Sequence, residues 1–180
     1  MLAAGGSRRL GRPKQLLSYR GGTLLGHVVD VARACEFDQL VVAVGGHAAA
    51  VRATVDFRGA TVVVNEAFGE GCSSSIAVAL ATIDPRCDVL VLLLGDQPGV
   101  TPATVDALLA GRKDAPLAVC RYEDGRGHPL AFARSVFGAL ESLHGDKGVW
   151  KLVDRGAEDV PIDGCIPLDV DTPEDYAAVR

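Results

Sequence analysis

The chain has no basic excess. Its 180 residues carry 18 Lys and Arg against 23 Asp and Glu, a formal net charge of −5 and a pI near 5.3. Nucleic-acid binders usually show the opposite balance, so no nucleic-acid partner is expected. No unbroken apolar run is longer than Val89–Leu94, far short of the roughly 18 residues a membrane span needs, so no membrane partner is expected either. The opening MLAAGGSRR lacks a charged segment followed by a long apolar stretch and is not read as a secretory signal. The 5 cysteines are odd in number and have no paired spacing, which fits reduced thiols and a cytoplasmic location better than a disulfide framework. Apolar residues make up 48% and charged residues 23%, too apolar for wholesale disorder. With no internal repeat, low-complexity tract or linker-like charge run, residues 1–180 read as a single domain.

Several chemistries are missing as well. There is no C-x-x-C or H-E-x-x-H for zinc, and no G-x-S-x-G elbow to offer a hydrolase nucleophile. A G-x-G-x-x-G dinucleotide fingerprint is also absent, which makes a nicotinamide oxidoreductase a distant reading.

What is present alternates. Gln39–Val44, Ala60–Val64 and Asp88–Leu94 are nearly continuous apolar runs, the habit of strands buried on both faces of a parallel sheet. Between them, Leu24, Leu25, Val28, Val29 and Ala32 recur at helical spacing, as do Ile76, Ala79, Leu80 and Ile83. Thr101-Pro102 and Thr172-Pro173 each supply an N-cap followed by a first-turn proline. Leu117–Tyr122 and Pro129–Ala133 flank a turn around Asp124-Gly125, a late β-hairpin. The order predicts a three-layer α/β/α sandwich on a mostly parallel, Rossmann-like sheet, with ligands at the carboxyl ends of the strands. Only Met1 and Leu2 precede the first glycine-rich loop, too few for the strand that should feed it, so a truncated first strand is expected.

Three segments could carry chemistry. From Met1 to Val29 there are five basic residues (Arg8, Arg9, Arg12, Lys14, Arg20) and no acid, around Gly5, Gly6 and Gly11. Glycines let backbone N–H groups approach an anion, and Arg and Lys bind phosphate oxygens. The segment is a near miss to the P-loop, because Arg12-Pro13 stands where Lys-Ser/Thr is required; it reads as a polyphosphate loop or as a solvated basic turn. Leu94-Gly-Asp-Gln-Pro98 follows the most apolar strand, so Asp96 can reach a metal or simply open a turn. Asp169 and Asp171, at i and i+2 on an extended segment, share a face that suits Mg²⁺, although capping and solvation compete for such acids. Gly71-Cys-Ser-Ser-Ser75 precedes a helix and could hold an anion or only cap it. His128 reads as structural rather than as a base, since no acidic orienter is identifiable. A basic glycine loop followed by two carboxylate segments is the kit of phosphoryl or nucleotidyl transfer.

LAAGGSRRLGRPKQLL (residues 2–17) resembles the opening signature of the MobA-like nucleotidyltransferases, and GDQP, GCSSSI, GHP, GDKG and DVDTPED resemble the family's later blocks in the same order. Within it, the Ala-Ala-Gly opening, GDQP and GHP are most similar to the molybdenum cofactor cytidylyltransferases. The resemblance implies the nucleotide-diphospho-sugar transferase type of sheet. It also implies transfer of CMP from CTP to molybdopterin with release of pyrophosphate, Mg²⁺ as cofactor with Mn²⁺ as an alternative, and a molybdenum hydroxylase or its maturation factor as recipient.

Carried over by position, Arg9, Lys14 and Asp96 take the catalytic roles, and Asp96 and Asp171 hold the metal. The nucleotide falls to Leu2, Ala3, Ala4, Gly5, Gly6 and Ser7 with Arg9 and Lys14, joined by Ser73, Ser74, Ser75 and Gly95. Gln97, Pro98, Gly127, His128, Pro129 and Asp146 face the acceptor. Two departures stand out: Leu10 where Met is usual, and Val149-Trp150 where a small residue and Arg often follow GDKG. A GTP-dependent or sugar- or polyol-phosphate transferase is the alternative, as is a non-catalytic nucleotide-binding accessory of a molybdenum enzyme.

Overall fold

The computed structural model describes residues 1–145 and 147–180. In chain order the elements are β1 (Leu2–Ala3), β2 (Ser18–Tyr19), β3 (Gly22–Thr23), α1 (Leu24–Ala34), β4 (Leu40–Val44), α2 (Ala48–Thr54), β5 (Ala60–Val64), α3 (Cys72–Leu80), β6 (Val89–Leu92), α4 (Pro102–Arg112), β7 (Leu117–Tyr122), β8 (Gly125–Ala133), α5 (Phe137–Glu141), α6 (Gly148–Arg155), β9 (Glu158–Pro161) and α7 (Pro173–Ala178). The expected strands and helices are present. The apolar runs are β4, β5 and β6, and the hairpin is β7–β8 with Glu123 and Asp124 as its turn.

The central sheet is built in two parts. β1–β4–β5 are paired in parallel, and β6–β8–β7–β9 form the second part. A parallel bridge from Leu2 to Leu94, just past β6, joins them. Among the described residues of this sheet the β8 pairings with β6 and β7 are the antiparallel ones, and β9 returns parallel to β7; β2 and β3 form a separate antiparallel pair. The sheet is thus mostly parallel, as the nearly continuous apolar runs predict, and the late hairpin supplies the reversed strand β8.

Alternation along the strands sorts the core into two layers. Ala3, Val42 and Val44 pack with Leu25, Val28 and Val29 of α1, Val51 of α2 and Val105 of α4. On the other face Leu2, Val41, Ala43 and Leu92 pack with Ile76 and Leu80 of α3, Leu140 of α5 and Val149 and Val153 of α6. These two layers, with the sheet between them, make the three-layer sandwich.

β1 is short, but it is central. The Met1 amino group donates to the Val41 carbonyl at 2.8 Å, and Leu2 N donates to Leu93 O at 2.9 Å. The strand therefore delivers Ala4 and the glycine loop between the carboxyl ends of β4 and β6. A cavity of about 760 Å³ opens toward the opposite, amino end of the sheet, lined by residues such as Cys35, Leu40 and Val89 and reaching up to Met1 and Leu2.

Candidate active site

The loop after β1 is held from below by a residue that sequence reading passed over. Gln15, 3% exposed, donates through Nε2 to the carbonyls of Ala3 (2.8 Å) and Gly5 (3.0 Å). Ser7 adopts a positive φ of 52°, and its hydroxyl accepts from Lys14 N at 2.9 Å. These bonds turn the chain back so that Lys14, at the start of a 3₁₀ turn (Lys14–Leu16), points into the carboxyl end of the sheet. Arg12 and Arg20 go elsewhere, over the rings of Tyr176 and Tyr19.

The first carboxylate segment follows β6. Gly95 N donates to Leu2 O at 2.8 Å, and a Cβ on Gly95 would lie 2.9 Å from Leu25 Cδ1 and 3.0 Å from Ala3 Cβ, so only glycine fits there. The next residue, Asp96, pairs with the Lys14 ammonium. Lys14 Nζ also donates to Asp171 Oδ1 at 2.6 Å, and Arg9 reaches the other Asp171 oxygen. Asp171 stands just before α7, whose Thr172–Asp175 capping box is complete; Asp175 Oδ2 accepts from both Asp171 N (3.1 Å) and Thr172 N (2.8 Å). The carboxylate segments are stitched together by Val170 N donating to Asp96 O at 3.0 Å. Residues 162 positions apart, Arg9 and Asp171, thus meet around one lysine.

The electrostatics follow from this packing. Burial works against the Lys14 ammonium, but the charges and hydrogen bonds of Asp96 and Asp171 outweigh it, and its pKa is raised. For Asp171 burial is outweighed by Lys14 and Arg9, which hold its carboxyl below the ordinary value. For Asp169 the balance reverses: burial, then the charges of Asp96 and Asp171, outweigh the pull of Lys14 and Gln97 and push it up to about 6.

No cluster of three or more acidic, His or Cys side chains forms a ready metal cage among the described residues. Two hard carboxylates beside the glycine loop nonetheless fit a divalent ion such as Mg²⁺ or Mn²⁺. Such ions are commonly held by one or two carboxylates plus substrate phosphates, and here the Lys14 ammonium already shows that a cation is accommodated between Asp96 and Asp171.

The remaining expected site residues are placed as follows. Gln97 is 1% exposed; its Nε2 donates to Pro167 O at 3.1 Å while its Oε1 has no hydrogen-bond partner among the described residues. Pro98 follows it in the same turn. Ser74 and Ser75 accept from Asn65 Nδ2 at 2.9 and 2.8 Å, and Ser73 donates to Gly145 O at 2.6 Å. Their hydroxyls thus bind the protein itself. Gly127, His128 and Pro129 open the part of β8 that pairs with β6, on a level with the approach to Gly95. A Cβ on Gly127 would press on Ile166 and Tyr122, and the Tyr122 hydroxyl donates to His128 O at 2.7 Å. The His128 ring stands edge-on to Trp150 at 5.3 Å, and burial pulls its pKa down to about 4. Asp146 lies outside the described residues. Sequence reading missed Gln15 and Asn65, both buried amides.

A family profile described as MobA-like NTP transferase domain matches residues 1–160. The chain belongs to the MobA-like NTP transferase family. Its members' nucleotidyltransferase chemistry and their nucleotide-diphospho-sugar transferase fold agree with the site and sheet described above. The solved structure of Rv0371c from Mycobacterium tuberculosis H37Rv is 53% identical and superposes with a TM-score of 0.93, covering 99% of this chain and 94% of that one. A second structure of that protein, in complex with manganese, matches at 50% identity and a TM-score of 0.89 over the same shares. Nicotine blue oxidoreductase of Paenarthrobacter nicotinovorans is 32% identical over 157 residues, 82% of this chain and 76% of the relative. No helix among the described residues is long and apolar enough to cross a membrane.

Proposed function

We propose that this MobA-like chain is a Mg²⁺-dependent cytidylyltransferase of the cytoplasm, transferring CMP from CTP to molybdopterin for delivery to a molybdenum hydroxylase or its maturation factor. The observation that carries the reading is the meeting of Lys14 with Asp96 and Asp171 where β1 and β6 end, beside Arg9. A terminal phosphate oxygen of the acceptor attacks the α-phosphorus of CTP; the new P–O bond forms as the bond to the β-phosphate oxygen breaks, and pyrophosphate leaves.

Lys14 and Arg9 then exchange carboxylate partners for phosphate oxygens, neutralising charge that builds on the leaving group. Asp96 and Asp171 would hold the divalent ion, which when bound offsets phosphate charge and orients the triphosphate. The manganese complex of the Mycobacterium tuberculosis relative supports divalent-metal use. The acceptor would lie along His128, Pro129 and the start of α6, and the cytosine assignment rests on the Ala-Ala-Gly opening.

The test is calorimetric binding of CTP, GTP, ATP, UTP and NADP, each with and without Mg²⁺. The reading expects CTP to bind best and Mg²⁺ to tighten it. GTP in first place moves the assignment to a guanylyl transfer, and failure of every triphosphate to bind overturns it. The relative named as an oxidoreductase gives a second reading, which preferential NADP binding would favour. Asp96→Ala should keep the fold and lose most pyrophosphate release, because metal bridging is typically worth several kcal/mol in the transition state. Near-normal turnover by that variant would remove Asp96 from the metal site.

A further inference from the structure

Among the described residues only Phe68 and Leu168 are large apolar side chains that remain exposed, Phe68 at 37%. Phe68 begins a 3₁₀ turn (Phe68–Glu70) between β5 and α3. Three glycines lie against it. A Cβ on Gly46 would lie 3.0 Å from Phe68 Cε2 and 3.1 Å from Cζ; one on Gly45 would lie 2.7 Å from Phe68 Cβ; one on Gly6 would touch Cε2 at 3.6 Å. Two loops, those after β1 and β4, are therefore cleared of side chains beneath a single ring. The neighbouring Gly5 meets the other partner, since its Cβ would lie 3.3 Å from Lys14 Cε. Adjacent glycines of the phosphate loop thus touch the ammonium on one side and the aromatic ring on the other.

The loop that carries the ring is also held in place. Asn65, 1% exposed, donates to the hydroxyls of Ser74 and Ser75 and accepts from Ala67 N at 3.0 Å. The Ser74 hydroxyl donates within the same loop, with the carbonyls of Gly71 (2.7 Å) and Ala67 (3.0 Å) in reach. A bracket of this kind fixes the loop under the ring before any ligand arrives, so that a half-open ring can stack on a heterocycle without the entropy cost of ordering the loop.

We infer that Phe68 is the stacking platform for the nucleobase of the triphosphate whose phosphates Lys14 and Arg9 hold, and that Asn65 is its positioning residue. The inference rests on the nucleotidyltransferase reading. It places base and phosphates on either side of Gly5–Gly6, and predicts that the base contributes affinity through an aromatic contact rather than through the serines of α3.

The experiment measures binding of CTP and of inorganic tripolyphosphate, both with Mg²⁺, to the full chain and to Phe68→Ala, Phe68→Leu and Phe68→Trp, with circular dichroism as the folding check. Loss of base stacking should weaken CTP by about tenfold or more in Phe68→Ala and Phe68→Leu. Tripolyphosphate affinity should stay within about twofold. Phe68→Trp should restore CTP binding and show indole quenching on CTP but not on tripolyphosphate. Phe68→Leu keeps an apolar side chain in the loop, so retention of CTP affinity by that folded variant overturns stacking. Tighter CTP binding by Phe68→Ala also overturns it, since the ring would then be an obstruction. If the parent chain binds CTP no better than tripolyphosphate, the platform is wrong while the phosphate loop stands. If it binds neither, both readings fail.

Discussion

Lys14 is held by two carboxylates that a divalent ion would otherwise claim, and this competition has a measurable consequence. Its side chain is 11% exposed, against 20% for Asp96 and 35% for Asp171, so all three are partly withdrawn from water. Removing the ammonium leaves the two acids facing each other, with Asp169 already pushed up by both of them. Lys14→Ala should therefore destabilise the unliganded protein by about 1–3 kcal/mol, the cost of stranding a partly buried polar partner. The same variant should gain more thermal stability from Mn²⁺ than the parent does, because binding to the folded state stabilises it by an amount that rises with the logarithm of affinity and the ammonium no longer competes. Thermal melts with and without Mn²⁺ check this. Equal Mn²⁺ shifts in both proteins would show that Lys14 does not contend for the carboxylates. In either case Lys14→Ala should weaken triphosphate binding, and unchanged nucleotide affinity would remove it from the site.

At the scale of elements, the sequence was most readable where one residue type carries one period. The runs at 40–44 and 60–64, the Thr-Pro starts of α4 and α7 and the turn at Asp124 all express local chemistry, and the strands and helices fall there. Lys14, Asp96 and Asp171 were picked out on local signals of three kinds, a basic glycine loop, an acid just past the most apolar strand and an i, i+2 pair of acids, and the structure brings the three together. β9 was not legible, since Glu158–Pro161 has little apolar pattern and owes its pairing to β7. Gln15, Asn65 and Phe68 were missed because each looks like an ordinary loop residue until chain-distant partners are known. The serines of α3 looked free in sequence, whereas Asn65 and Gly145 engage them.

The contact of α4 with β9 offers a test of sign at this scale. Replacing a helical glycine by alanine ordinarily gains up to about 1 kcal/mol. In α4, however, a Cβ on Gly111 would lie 2.4 Å from Val160 Cγ1 and 3.0 Å from Cγ2. Overpacking of that kind costs about 1–3 kcal/mol, so it should win, and Gly111→Ala should lower the urea midpoint. In a Val160→Ala background the clash is gone and the same substitution should become neutral or stabilising. A stabilised single variant would mean that α4 can lift off β9 at little cost.

Across the whole molecule, acid sensitivity should have a component that no surface carboxylate explains. His128 is packed edge-on to Trp150 between β8 and α6, and burial lowers its pKa from 6.5 to about 4. The unfolded chain therefore binds this proton more readily than the folded one, and stability rises with pH wherever the unfolded state holds more protons. The contribution is complete above pH 6.5, the unfolded value, and is lost as the pH falls from there through about 4. At roughly 1.4 kcal/mol per unit, the loss across that window is about 3 kcal/mol. Asp171, Asp159 and Asp175, all held low by cations or hydrogen bonds, add losses of the same sign at more acid pH. Subtracting a variant isolates the imidazole: His128→Phe keeps an aromatic ring against Trp150 and has no proton to take up. Urea unfolding at pH 7.5 and 4.5 should show the parent losing about 2–3 kcal/mol more than His128→Phe between the two conditions. Parallel losses would mean that the ring is hydrated and titrates normally. That outcome would make His128 a hydrated group on the side where the acceptor is proposed to lie.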